Sequence, residues 1–163
     1  RKISIEPNET FEVDFQLNYE NKVIGNQRNL VNFDNDNLED VSKSRTFCLF
    51  EDIEVIKKAG LAKGGSLNNA IVVDKDKVLN EGGLRNVKEF VNHKILDLAG
   101  DFLLSGYRII GKVKCYQGGH ELTNFFLRKL LNSKKAINSI QLNNVVIAES
   151  SSPVHQTKVA VSA

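Results

Sequence analysis

Cysteine is scarce in this sequence. Cys48 and Cys115 are two thiols among 163 residues, too few for a disulfide framework and without the close pairing of a thiolate zinc knuckle, so a reducing, cytoplasmic setting is expected. Charge of one sign is missing as well. The 22 Lys and Arg face 20 Asp and Glu, a formal +2 with neutral His, so no bulk excess points to nucleic acid or to an anionic membrane. The basic residues are scattered and no aromatic cluster alternates with them, which argues against a nucleic-acid module. No apolar run approaches the roughly 20 residues that a transmembrane segment needs, and Arg1 to Ile5 carries no signal-peptide core. The absence of an initial Met fits a cut piece or a processed chain. What remains, 41% hydrophobic and 26% charged residues, is the make-up of one globular domain or of a domain taken from something larger.

Strands come first. Phe11, Val13, Phe15, Leu17 and Tyr19 alternate with Glu12, Asp14, Gln16 and Asn18, the period of a half-buried strand. Shorter alternations at Ile3 to Ile5 and Leu30 to Phe33 flank it, and the turn residues between them predict an antiparallel meander. Asn37 is placed to cap a short helix through Ser42, and Phe50 to Gly60 reads as a second. Ala70 to Val73 is a buried strand, followed after Asp74 to Asp76 by a short one at Val78 and Leu79. The strongest element is a helix from about Asn86 to Ser105, stopped by Gly106, with Phe90, Val91, Ile95, Leu98, Phe102 and Leu103 on its apolar side. Tyr107 to Tyr116 reads as a strand, and His120 to Ser133 as an amphipathic helix carrying Leu122, Phe125, Phe126, Leu130 and Leu131. The expected class is α+β, a two-layer sandwich of a mostly antiparallel sheet covered by helices. After residue 133 the pattern weakens. Lys134 to Gln141 extends the helix in this reading, Val145 to Ile147 is an added strand, and Ser150 to Pro153, with His155, is tail.

Glu89, His93, Asp97 and Asp101 recur every four residues along the long helix, beside its apolar face. Two readings of His93 and Asp97 stand on spacing alone. They are a solvated i,i+4 pair worth about 0.3 to 0.5 kcal/mol, or two ligands of one metal ion, since imidazole and carboxylate together suit zinc. Lys94 is either a solvated charge or an oxyanion holder. His120 follows Gly118 and Gly119 at a strand-to-helix junction, where it is an acid–base group or a solvated helix start. Gly64-Gly65-Ser66 lacks the spacing of a phosphate loop.

Several blocks together resemble a known family, the C-terminal domain of UDP-3-O-acyl-N-acetylglucosamine deacetylase, a zinc amidase of bacterial lipid A synthesis. They are Arg45-Thr46-Phe47, Gly64-Gly65-Ser66 with Asn69 to Val73, Val78 to Glu81 with Gly83-Leu84-Arg85, His93-Lys94-x-x-Asp97-x-x-Gly100-Asp101, and Gly119-His120.

The resemblance implies the following roles. His93 and Asp97 are two of three ligands to Zn2+. Lys94 and Thr46 stabilise the oxyanion, and His120 protonates the departing amine, with Asp101 holding it charged. Phe47 lies along the glucosamine, Tyr19 meets uracil, and Ile53 and Val72 bracket a passage for the acyl chain. The substrate is a UDP-sugar bearing an acyl chain. The third ligand and the general base belong to an N-terminal domain of the same enzyme, so residues 1–133 form a catalytic half-domain that is inactive by itself, and residues 134–163 a variable extension. Asn18 to Lys22 and Gln117 depart from the family's usual residues. The alternative is a module of the same fold that binds a sugar nucleotide or a protein without catalysis.

Overall fold

The computed structural model describes residues 1–133, 135–141 and 157–161. In chain order the elements are β1 (Lys2–Glu6), β2 (Phe11–Asn18), β3 (Asn26–Asn32), α1 (Glu39–Ser42), β4 (Thr46–Leu49), α2 (Ile53–Lys58), β5 (Ala70–Asp74), β6 (Lys77–Val78), α3 (Glu89–Leu103), β7 (Tyr107–Tyr116), α4 (His120–Asn132), β8 (Ile137–Gln141) and β9 (Thr157–Val161). Two sheets and four α-helices among the described residues make this an α+β protein, as the order of patterns predicts.

The alternation in β2 does what it promises: Val13, Phe15 and Leu17 are buried in the core. On the opposite face Asp14 is also buried, because Arg28 from β3 grips both its oxygens, Nε to Oδ1 at 2.8 Å and Nη2 to Oδ2 at 2.6 Å. β3 runs antiparallel to β2, with Val31 opposite Val13.

The expected meander is only half present. β1 does not join β2; it pairs antiparallel with β7, Ile3 opposite Cys115. β7 takes the free edge of β2 in parallel, Val113 opposite Val13. A parallel neighbour needs a long crossover, and the helix-bearing stretch between β3 and β7 supplies one. Local alternation says which residues face inward but not which edge a strand finds. β9 lies parallel to Tyr107 to Ile110 of β7, and β8 antiparallel to β9. The helix therefore does not extend to Gln141. It stops at Asn132, and Ile137 and Ile140 follow their β-branched preference into β8. The readings at Val145 to Ile147, Ser150 to Pro153 and His155 fall outside the described residues.

The second sheet is small, β4 parallel to β5 and β5 antiparallel to β6. β4 is too short to announce itself, yet it carries Thr46 and Phe47.

α3 lies against β2, β3 and β7. Phe90, Val91, Ile95, Leu98 and Phe102 are at most 2% exposed, and burying such a side chain contributes roughly 1.5 to 3 kcal/mol. Leu103 departs from expectation and is exposed; it lies about 100° around the helix from Phe102. Phe125 on α4 is exposed too, whereas Leu127 and Leu130 are buried. Gly118 is dictated by packing, since a Cβ there would stand 2.3 Å from Cys115 Sγ and 3.3 Å from the Phe15 ring. That close approach brings the start of α4 down onto the sheet. No described helix is long and apolar enough to cross a membrane.

Candidate active site

Three successive turns of α3 present His93, Asp97 and Asp101, and the apolar ridge beside them fixes their height above the sheet. His93 Nε2 lies 3.2 Å from Asp97 Oδ1, with side chains only 15% and 17% exposed. The pair is thus largely shielded from water. Lys94 Nζ reaches Asp97 Oδ2 at 2.8 Å and stands 5.8 Å from the centre of the Phe47 ring. His120, nineteen residues beyond Asp101, arrives from α4 with Nδ1 3.0 Å from both Asp101 oxygens. Its Nε2 is 4.0 Å from Asp97 Oδ1. Asp101 is buried while the His120 side chain is 65% exposed, so the ring is anchored at one nitrogen and open at the other.

His93 sits between two acceptors, Asp97 on its Nε2 side and the Ser44 carbonyl 3.3 Å from Nδ1. Burial pushes its pKa below the usual 6.5, outweighing the pull of Asp97. A neutral imidazole has one proton for two acceptors. In the tautomer that donates Nδ1–H to Ser44, the Nε2 electron pair is free to bind a cation beside the Asp97 carboxylate; in the other, Nε2–H donates to Asp97. The carbonyl behind the ring is also the outer support that metal-bound imidazoles commonly have. The donor chemistry thus fits a zinc ion, with two ligands from this chain. Among the described residues no group of three or more His, Cys, Asp and Glu is arranged to hold a metal ion.

Next to this polar cluster is an apolar groove of about 830 Å³ between β4, α2 and β5. Thr46 and Phe47 stand at β4, and Ile53 and Val72 both line the groove, as does the Gly64-Gly65-Ser66 loop. Tyr19 packs edge-on against Phe47 at 5.8 Å, and Phe47 against Phe90 at 5.0 Å. The structure therefore gathers His93, Lys94, Asp97, Asp101 and His120 at one point. Phe47 links that point to Tyr19 and to the groove walls. Thr46 is exposed and makes no hydrogen bond through its side chain among the described contacts.

Two supporting groups escaped the sequence reading. Glu89 belongs to the same four-residue series as His93, but it is fully buried and receives Arg45. Asn80 is buried in the loop after β6, where it accepts from Val72 N–H at 2.9 Å and donates to the Leu67 and Ala70 carbonyls at 2.6 and 2.7 Å. It fastens one wall of the groove to β5. An acid inside a helix flanked by Phe90 and Val91 is the available signal for the first, since such a charge needs a partner; nothing local signals the second.

An imidazole oriented by a buried carboxylate, beside a second imidazole–carboxylate pair and an apolar groove, can combine acid–base chemistry with cation binding. The sequence relationships make the class specific. Residues 1–132 match the family LpxC, UDP-3-O-acyl N-acetylglycosamine deacetylase, and the chain belongs to that family. Among curated relatives named UDP-3-O-acyl-N-acetylglucosamine deacetylase, that of Pseudoalteromonas translucida (strain TAC 125) is 41% identical over 135 residues, 81% of this chain and 45% of the relative. That of Pseudomonas entomophila (strain L48) is 45% identical over 128 residues, 77% of this chain and 42% of the relative. That of Histophilus somni (strain 129Pt) is 45% identical over 133 residues, 80% and 44% of the two chains. The chain spans less than half the length of these relatives.

Proposed function

We propose that this chain is the carboxy-terminal half of a zinc-dependent deacetylase that removes the N-acetyl group from UDP-3-O-acyl-N-acetylglucosamine in lipid A synthesis. The observation that carries the reading is the meeting of His120 from α4 with Asp101, Asp97 and His93 of α3. A separate helix delivers an acid–base group to the side of a candidate ligand pair.

In this reading His93 and Asp97 hold zinc, which supplies Lewis acidity toward the amide carbonyl and an acidified water. Asp101 fixes His120 through Nδ1, so the opposite nitrogen is turned outward to give a proton to the leaving amine. Lys94 and Thr46 donate to the oxyanion, and a preorganised donor of this kind contributes roughly 2.7 to 4 kcal/mol. Phe47 supports the sugar ring, Tyr19 the uracil, and the groove between Ile53 and Val72 takes the acyl chain. The third ligand and the general base come from the remaining length of the parent protein, so the chain alone binds zinc weakly and does not turn over.

The test is the zinc content of the full-length parent. His93→Ala and Asp97→Ala each lose zinc and hydrolysis together. Retention of both by His93→Ala removes His93 from the metal site, whereas a wild-type parent that neither holds zinc nor hydrolyses is a non-catalytic module that binds a sugar nucleotide or a protein.

A further inference from the structure

We propose that the buried pair Arg45–Glu89 is a positioning device for the reaction centre, setting both the His93 ligand and the β4 residues opposite it. The inference rests on the assignment of His93 as a zinc ligand.

The pair is placed for this work. Glu89 is fully buried and Arg45 is 9% exposed. The Glu89 carboxylate receives Arg45 Nε at 2.8 Å, Arg45 Nη2 at 3.1 Å and the Arg45 backbone N–H at 3.1 Å. It also receives the Arg85 backbone N–H at 2.6 Å, while Arg45 Nη2 donates to the Gly83 carbonyl at 2.8 Å. One carboxylate thus ties the first turn of α3 to the chain entering β4 and to the loop before the helix. The fork of a guanidinium fixes direction as well as distance.

The covalent neighbours give the clamp its purpose. Glu89 is one helical turn before His93. Arg45 lies between Ser44, whose carbonyl faces His93 Nδ1, and Thr46, which begins β4. Holding Arg45 on Glu89 therefore holds the Ser44 carbonyl behind the imidazole and Thr46 at its distance from α3. Among the described contacts neither Arg45 nor Glu89 bonds to His93, Asp97 or His120, so both act through their neighbours. A buried ion pair used only for stability could be replaced by apolar groups of similar volume with little penalty; here such a replacement also frees a carbonyl and a strand that the site uses.

That contrast supplies the experiment. In the full-length parent, the double substitution Arg45→Met with Glu89→Leu keeps the interior filled, and Glu89→Gln keeps the shape while removing the charge. Zinc affinity is read by competition with a chelator, and folding by thermal unfolding of the same samples. Asp14→Asn, which breaks the Arg28 grip on the outer face of the sheet, is the control. The proposal expects zinc affinity to fall by about 10- to 100-fold, the size usual for outer supports of metal ligands, in both Arg45/Glu89 variants. The control keeps its affinity whatever it loses in stability. Wild-type affinity in a folded double variant overturns the proposal, and so does an equal loss in the control. If His93→Ala binds zinc like the wild type, the ligand assignment is wrong and this inference falls with it.

Discussion

The polar cluster and the apolar groove are built on opposite terms. α3 buries nine of its fifteen residues, from Glu89 to Phe102, and every charged group at its active face has a named partner. α2, which forms one wall of the groove, buries none, and the facing wall is a loop fastened by Asn69 and Asn80. Proton transfer and ion binding require atoms held within a few tenths of an ångström, which a buried helix supplies. Under the proposed function the groove would take an acyl chain, which asks only for apolar area, and a looser wall provides that.

If that division is right, substitutions in the cluster act on rate and those in the groove on substrate choice. The largest effect is expected from His120→Ala, which should lower kcat of the full-length parent by roughly 10²- to 10⁴-fold while zinc content, measured by metal analysis, stays unchanged. Lys94→Ala comes next. A loss of roughly 2.7 to 4 kcal/mol in transition-state stabilisation, read from kcat/KM, marks an oxyanion donor, whereas an effect under about 0.5 kcal/mol returns Lys94 to a surface charge. In the groove, Val72→Phe should raise KM for long-acyl substrates and leave kcat on a short-acyl analogue intact. A uniform fall in kcat across chain lengths would erase the contrast between the two regions.

The part of the cluster that spacing marks is local. His93, Asp97 and Asp101 share one helix, and the glycines ahead of His120 mark the junction that α4 starts from. The meeting of His120 with Asp101 is a tertiary fact that the helix pattern does not contain; family resemblance supplied it. β4 leaves no such mark, because four residues carry too little periodicity. Alternation does not contain the pairing of β1 with β7, because the inward-facing pattern is the same for either neighbour. Glu89 sat in plain view in the four-residue series, but its depth depends on which turn of α3 meets β4.

The smallest expected effect concerns stability against pH. Burial holds the His93 pKa below 6.5, so the unfolded chain binds more protons there. This contribution is complete above about 6.5 and is lost as pH falls from that value toward the lowered folded one. Two carboxylates follow at lower pH. Burial pushes the Glu89 carboxyl up, but the Arg45 side chain and the Arg85 and Arg45 backbone N–H groups leave it below 4.5. The Arg28 hydrogen bond holds Asp14 below 3.8. Both contribute stability above those values and lose it as pH falls through the folded ones. Urea unfolding from pH 8 to 4 should show the upper decline, and His93→Gln should abolish it. Persistence of that decline in the variant places its source elsewhere.

The most direct test of the account is deacetylase activity measured on this chain alone and on the same chain joined to the upstream half of one of its curated relatives. Zinc-dependent removal of acetate by the joined protein, with none from the chain alone, is the predicted result. Turnover by the 163 residues unaided, at the rate of the joined protein, would contradict the claim that they supply half of a divided centre.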